Sequence, residues 1–291
     1  MAVATRRSLT LETLLKLGRV SNLPTVWTNV LTGTVLAGGS AWSGRTSIVA
    51  LAMSLFYIGG MFLNDYCDRS VDARERPRRP IPAGEISGRM VAAIACALLV
   101  DGMALIAMFG MAAAAGGLAL ALAIVGYDFF HKGNPVAPLI MGLCRGLVYC
   151  TAAAAAVGSV SGTVGVAAGT ILAFTSGLTY AAQQENLDRI GHLWPLLLLA
   201  APMIVSLPAL VQGTLGLLVY VGLVVCICCA VYLLARLPVP GSVPRAVGLL
   251  IAGISLVDAA LLASADAMAA ALLASTGFVA TLLLQKYIPG T

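Results

Sequence analysis

The chain has 291 residues, of which 60% are hydrophobic and only 10% charged, and its 17 basic and 12 acidic residues give a net charge of +5. Soluble domains carry about a quarter charged residues, so this composition excludes an ordinary soluble protein and describes an integral membrane one. Seven cysteines show no metal-ligand or disulfide-framework spacing, and six of them lie in apolar segments, where a thiol acts as a small hydrophobe.

In chain order, residues 1–20 mix charge with apolar residues and lack the clean hydrophobic region of a signal peptide. They are expected to form an amphipathic surface helix, with Leu11, Leu14, Leu15 and Leu17 set against Lys16 and Arg19. Apolar stretches near the roughly 20 residues that cross a bilayer core follow at 24–41, 46–63, 89–109, 112–130, 136–158, 163–184, 193–212, 214–235, 245–264 and 267–286. The last two are parted by only a few small residues around Asp266, so the expectation is an all-α bundle of nine or ten spans, forming one domain over 1–291. Runs of Gly and Ala at 112–117 and 152–156 let helices approach closely in lipid.

Nearly all basic residues fall on one side of such a bundle. Arg45 alone falls on the other, and Arg145 lies inside a span. The positive-inside rule makes the loaded side cytoplasmic. On that side lie the three connections after spans two, four and six, which carry most of the polar chemistry.

The first connection opens with Asn64-Asp65-Tyr66-Cys67-Asp68-Arg69-Ser70-Val71-Asp72. If the helix continues through it, Asp65, Asp68 and Asp72 share one face. Carboxylates so placed repel one another unless a cation sits among them, and magnesium, a hard ion held by carboxylates, waters and substrate phosphates, suits the place. Arg74, Arg76, Arg78 and Arg79 follow, with Pro77, Pro80 and Pro82 stiffening the loop. Guanidinium forks match phosphate oxygens, so the pattern predicts a diphosphate site. The second connection offers Tyr127, His131 and Lys132 to the same diphosphate, and the third offers Gln184, Glu185 and Asp188 as a weaker acidic patch for a second ion. Arg145, an intramembrane charge, is expected to face the interior with Asp128 or Asp188 as partner.

These residues resemble the UbiA superfamily of intramembrane prenyltransferases. Its first motif, N-D-x-x-D-x-x-x-D, is met at Asn64, Asp65, Asp68 and Asp72, and its R-P-x-P-x-G ending is met from Arg79 to Gly84. The resemblance implies a helical bundle, usually of nine spans, around a central cavity, with Mg²⁺ as cofactor. It gives Asp65, Asp68, Asp72 and Asp188 catalytic roles, the same aspartates with Glu185 metal-holding roles, and Arg76 and Arg79 contacts to phosphate. Two departures stand out. Gln184 occupies a place where the second motif expects an acid, and the family's tyrosine-to-lysine spacing reaches His131 rather than Lys132. The start of span one through Asn29, together with Arg145-Gly146-Leu147, looks most like the EboC-type branch, which implies a polar, polyol- or cyclitol-like acceptor and puts Asn29 and Arg145 on the substrate side.

The implied function is transfer of an isoprenyl group from an isoprenyl diphosphate to a small acceptor, either polar and cyclitol-like or aromatic, with membrane lipids around the protein and no nucleic-acid partner. Tyr127, Phe129, Tyr149 and Tyr180 are candidates to wall an allylic cation, since ring faces attract cations. Two rival readings are a terpene cyclase of the same family, which needs no acceptor, and a prenyl-lipid carrier without chemistry.

Overall fold

The structure is a computed structural model and describes residues 10–183, 194–235 and 241–290. Every regular element among them is helical: α1 Leu11–Leu17, α2 Leu23–Leu36, α3 Gly44–Glu75, α4 Gly88–Ala107, α5 Met111–Phe130, α6 Ala137–Val157, α7 Gly162–Gln183, α8 Ala201–Val205, α9 Gly213–Ala235, α10 Ser242–Ser264 and α11 Met268–Gln285. Short 3₁₀ turns precede α2 and flank α8. Among the described residues, nine segments are long and apolar enough to cross a membrane.

The first predicted span needs a correction. It stops at Leu36, giving α2 only 14 residues, or about 21 Å of helix, because the chain turns at Gly38 with φ +86°. Even so, α2 traverses the bundle. At its start Asn22 donates to the Tyr57 hydroxyl, and beyond its end Arg45 donates to the carbonyls of Ala155 and Ala156 at the far end of α6. Counting α2, the described residues make ten crossings.

The seventh crossing, Trp194–Val211, is broken into 3₁₀, α and 3₁₀ pieces. Pro195, Pro202 and Pro208 each open one of these pieces, since proline is tolerated at the start of a helical turn but not within it. Carbonyls freed in lipid need replacement donors. Tyr220 Oη donates to Met203 O at 3.0 Å, while Ser206 O is met by the backbone N–H of Ala209 at 3.0 Å.

Within the bundle α10 is buried along most of its length against α2, α7, α9 and α11. Leucines and valines of α4, α5 and α9, such as Leu118, Leu122 and Val225, point outward, as lipid contact requires. Two glycines set helix spacing. A Cβ at Gly33 would lie 2.5 Å from Tyr149 O, and one at Gly142 would lie 2.4 Å from Leu172 O. Backbone cannot yield as a side chain can, so Gly142→Ala is expected to cost about 1–3 kcal/mol by overpacking. Thermal unfolding in detergent checks it; an unchanged midpoint would contradict the close α6–α7 contact.

The N-terminal expectation holds in part. Leu17 is buried against α3, as an amphipathic helix predicts. Arg19, by contrast, leaves the polar face. It takes a left-handed backbone with φ 42°, and that turn swings its side chain toward α3.

Candidate active site

The site is built on the last turns of α3. Ser43 caps its start by accepting from Thr46 N, and the helix runs through Asp72 before ending at Glu75, where Pro77 disfavours helical geometry at Arg76. The uninterrupted helix puts Asp65, Asp68 and Asp72 on one face, as the spacing predicts.

Each carboxylate meets cations. Arg79 Nη1 reaches Asp72 Oδ2 at 2.9 Å and Asp65 Oδ1 at 3.3 Å, so the arginine-proline loop folds back across the aspartates. Arg19 Nη2 approaches the same Asp65 oxygen at 3.4 Å. Asp68 faces the second connection, with Lys132 Nζ at 2.8 Å and His131 Nε2 at 3.4 Å. The first and second predicted connections therefore meet on one face of the bundle.

His131 closes α5. Its Nδ1 lies 3.2 Å from both Tyr127 O and Asp128 O, and carbonyls can only accept, so Nδ1 carries the proton. Its ring stacks on Tyr127 with centroids 5.0 Å apart. The hydrogen bond to Asp68 raises the His131 pKa above the ordinary histidine value, outweighing a burial effect that lowers it. When Nε2 is protonated as well, the ring is a second cation beside Lys132.

Below this cluster, Asn64 Nδ2 donates to Asp128 Oδ1 at 3.1 Å. Asp128 Oδ2 is buried without a hydrogen-bond partner among the described residues. The cluster lines a cavity of about 400 Å³, whose walls include Asn64, Asp68, Arg79, Tyr127, His131 and Arg145. Arg76 stands exposed at its edge. Beneath it lies an apolar chamber of about 80 Å³ between Met53, Phe56, Leu120, Ile124 and Val148. Tyr57, Met61, Tyr127 and Arg145 border both spaces, so the polar cavity and the chamber meet at them.

Several expectations land elsewhere. Phe129 is 59% exposed on the outer surface, because it follows Asp128 by one position and so turns about 100° away from the cavity. Tyr149 is fully buried and donates its hydroxyl proton to Asp258 Oδ1. Asn29 is fully buried too and lies behind Arg145 rather than on the cavity wall. The described cavity residues of α7 are Thr175, Leu178, Thr179, Ala182 and Gln183, and do not include Tyr180. Gln184, Glu185 and Asp188 lie outside the described residues. Arg145 does not pair with Asp128: its Nη1 donates to Asn29 Oδ1 at 2.9 Å, and Asn29 in turn donates to Asp258 Oδ2 at 2.8 Å.

Sequence reading missed Arg19, Tyr57 and Asp258 as parts of the site or its support, and read Asp128 only as a partner for Arg145. Only the two aspartates carried a signal, being acids within apolar spans.

A multi-pass helical bundle with carboxylates, guanidinium groups and an imidazole at the mouth of an apolar-bottomed cavity defines the class: an integral membrane protein with a charged site set above an apolar chamber. The family profile described as "UbiA prenyltransferase family" matches residues 25–266, and the chain belongs to that family. Its relatives include the digeranylgeranylglyceryl phosphate synthase of Methanothrix thermoacetophila, 34% identical over 126 residues, covering 43% of this chain and 47% of that one. The synthase of the same name from Haloquadratum walsbyi is 32% identical over 148 residues, covering 50% and 52%. These matches span about half the length of the curated relatives. Among solved structures, a UbiA homologue from Aeropyrum pernix K1 superposes with TM-score 0.66 at 18% identity, covering 84% of this chain and 96% of that one. A digeranylgeranylglyceryl phosphate synthase structure gives 0.61 at 20%, covering 89% and 99%. At such identities the likeness establishes the shared fold.

Proposed function

We propose that the protein is a magnesium-dependent intramembrane prenyltransferase that moves an isoprenyl group from an isoprenyl diphosphate to a small acceptor. The observation that carries this reading is the meshing of the three α3 aspartates with Arg79, His131 and Lys132 at the mouth of a cavity that leads to an apolar chamber. A carrier of neutral lipids has no use for so many phosphate-matching donors. The family names and the positive-inside distribution support the reading, with this face cytoplasmic.

Asp65, Asp68 and Asp72 suit magnesium by chemistry, since they offer hard carboxylate oxygens on one helical face. Among the described residues no three acidic, imidazole or thiol groups converge to cage a metal unaided, so an ion held here would need waters and substrate phosphates to complete its shell. When bound, magnesium supplies Lewis-acid stabilisation of the charge on the departing diphosphate.

The chain's own groups do the rest. Arg76, Arg79, Lys132 and the His131 imidazolium hold the headgroup and stabilise the charge that builds on it. The C1–O bond breaks, and its electron pair leaves with the diphosphate. Tyr57 and Tyr127, at the junction of the two spaces, face the allylic cation. The acceptor's nucleophilic atom then bonds to C1 and gives up its proton, for which the unpaired Asp128 Oδ2 is the buried acceptor at hand. Asp128→Asn keeps the shape and leaves Asn64 an oxygen to donate to. It is expected to slow acceptor-dependent product formation about 10²-fold or more while leaving donor binding unchanged; unaltered product formation would remove Asp128 from the reaction.

The test is to incubate purified protein in lipid with magnesium, isoprenyl diphosphates of several lengths and a panel of acceptors, then identify products by mass spectrometry. Prenylated acceptor with stoichiometric diphosphate is the expected result. A cyclic hydrocarbon formed without acceptor would favour the cyclase reading, and the absence of any diphosphate release would favour the carrier.

A further inference from the structure

Asp101 lies inside α4, six residues before its end at Ala107. Its neighbour Gly102 faces α3, where a Cβ would lie 3.1 Å from Ala52 O and 3.2 Å from the Phe56 ring. Ala52 and Phe56 flank the middle of the apolar run 46–63, so Asp101 stands at mid-membrane depth. An acid there is among the costliest residues to insert, and such residues nearly always turn into the bundle to meet a partner. Asp101 turns outward. It is exposed on the lipid side of α4, and among the described residues no hydrogen bond or ion pair reaches its carboxyl.

The residues around it form a seam. Met90, Ala97 and Ala104 repeat every seven positions, as do Ile94, Asp101 and Met108, and the two series interleave at the spacing of coiled-coil d and a positions. All are exposed except Ile94, which is partly buried. The alanines on either side of Asp101 let a second helix come close in lipid. Within the chain α4 packs chiefly on α3 and α5, and the described residues lining the polar cavity and the apolar chamber include none from α4. The seam therefore serves something other than the substrate.

We infer that α4 is the contact helix of a parallel dimer, in which a second copy of this chain covers the seam and the two Asp101 carboxyls meet at its centre. Two copies in one membrane share their orientation, so a two-fold axis along the membrane normal sets each seam residue opposite itself at one depth. A carboxylic acid suits that symmetry. Its O–H donates and its other oxygen accepts, so two of them pair by reciprocal hydrogen bonds. A single polar a position in an otherwise apolar seam is also the device that fixes register and partner number. A foreign span would have to bring its own matching group to the same depth, whereas a second copy does so by construction. The contact is independent of the chemistry in the cavity.

The test is energy transfer between two fluorophore labels on the full chain in phosphatidylcholine vesicles, followed as the protein is diluted in lipid. The wild type is expected to associate as a dimer. Asp101→Leu should weaken association about three- to thirtyfold, the range of intramembrane polar contacts, whereas Asp101→Asn should keep most of it because an amide also donates and accepts. Ala97→Ile should weaken it by holding the helices apart. A second measurement does not depend on these variants. With the exposed cysteines removed as Cys96→Ser, Cys228→Ser and Cys229→Ser, Ala97→Cys should give a disulfide-linked dimer under a membrane-permeant oxidant, and Leu122→Cys on the lipid face of α5 should not. Energy transfer at chance level in the wild type, or association that Asp101→Leu and Ala97→Ile leave untouched, overturns the contact. So does pairing of the wild type with a model leucine-alanine span carrying one central Lys in place of self-association, which would mark a foreign basic helix as the partner.

Discussion

Asp68→Asn is expected to lower magnesium-dependent diphosphate release about 10²- to 10³-fold while leaving the protein folded. Asp68 is the central carboxylate of the α3 face, and its oxygen meets the Lys132 ammonium at 2.8 Å and the His131 ring at 3.4 Å. Asparagine matches it in shape and removes only the negative charge. A preorganised charged group aimed at a reacting phosphate is worth roughly that factor. The stability cost should be small, because Lys132 is substantially exposed and such pairs contribute about 1 kcal/mol or less. Continuous pyrophosphate detection across a magnesium titration checks both points. A variant that kept most of its turnover, with an unchanged magnesium midpoint, would show that the ion binds elsewhere.

The second large effect is expected at Arg79. One guanidinium spans Asp65 and Asp72, two turns apart on α3 and each under a tenth exposed. Arg79→Ala deletes a phosphate donor and leaves Asp72 without the cation that neutralises it, whereas Asp65 keeps Arg19. Activity should fall about 10²-fold, with a rise in KM for the isoprenyl diphosphate. The unfolding midpoint should fall as well, because a buried carboxylate loses its partner. Arg79→Lys should recover stability better than activity, since an ammonium supplies charge but cannot bridge two carboxylates or fork onto a phosphate. Wild-type activity in both the lysine and the alanine variants would argue that charge and geometry at this position are both irrelevant to turnover.

What was legible in the sequence was what depends on local spacing. The i, i+3, i+7 register of Asp65, Asp68 and Asp72 survives folding because α3 stays helical past the apolar run. Pro77 marks its end, and the arginine loop returns to the residues it follows. Long-range placement was not legible. Asn29 and Asp258 are 229 positions apart and meet only because α2 packs on α10; no periodicity announces that. Arg19 looked like the polar side of a surface helix, and one left-handed residue redirected it to Asp65. Phe129 looked like cavity wall because it is aromatic and near the motif, yet its place beside Asp128 on the helix sends it outward. The seventh span was visible as apolar but not as broken, although its three prolines were in plain view. Gln184, Glu185 and Asp188 lie outside the described residues, so the second acidic patch stands as the sequence suggests it.

The central claim is that the α3 aspartates and the arginine loop hold a diphosphate together with magnesium. The most direct measurement is calorimetric binding of an unreactive isoprenyl thiodiphosphate to the protein in lipid, with magnesium and then with chelator. Magnesium should tighten binding at least tenfold in the wild type, and that gain should vanish in Asp68→Asn. Equal affinity with and without magnesium, or a gain that persists in Asp68→Asn, would contradict the account.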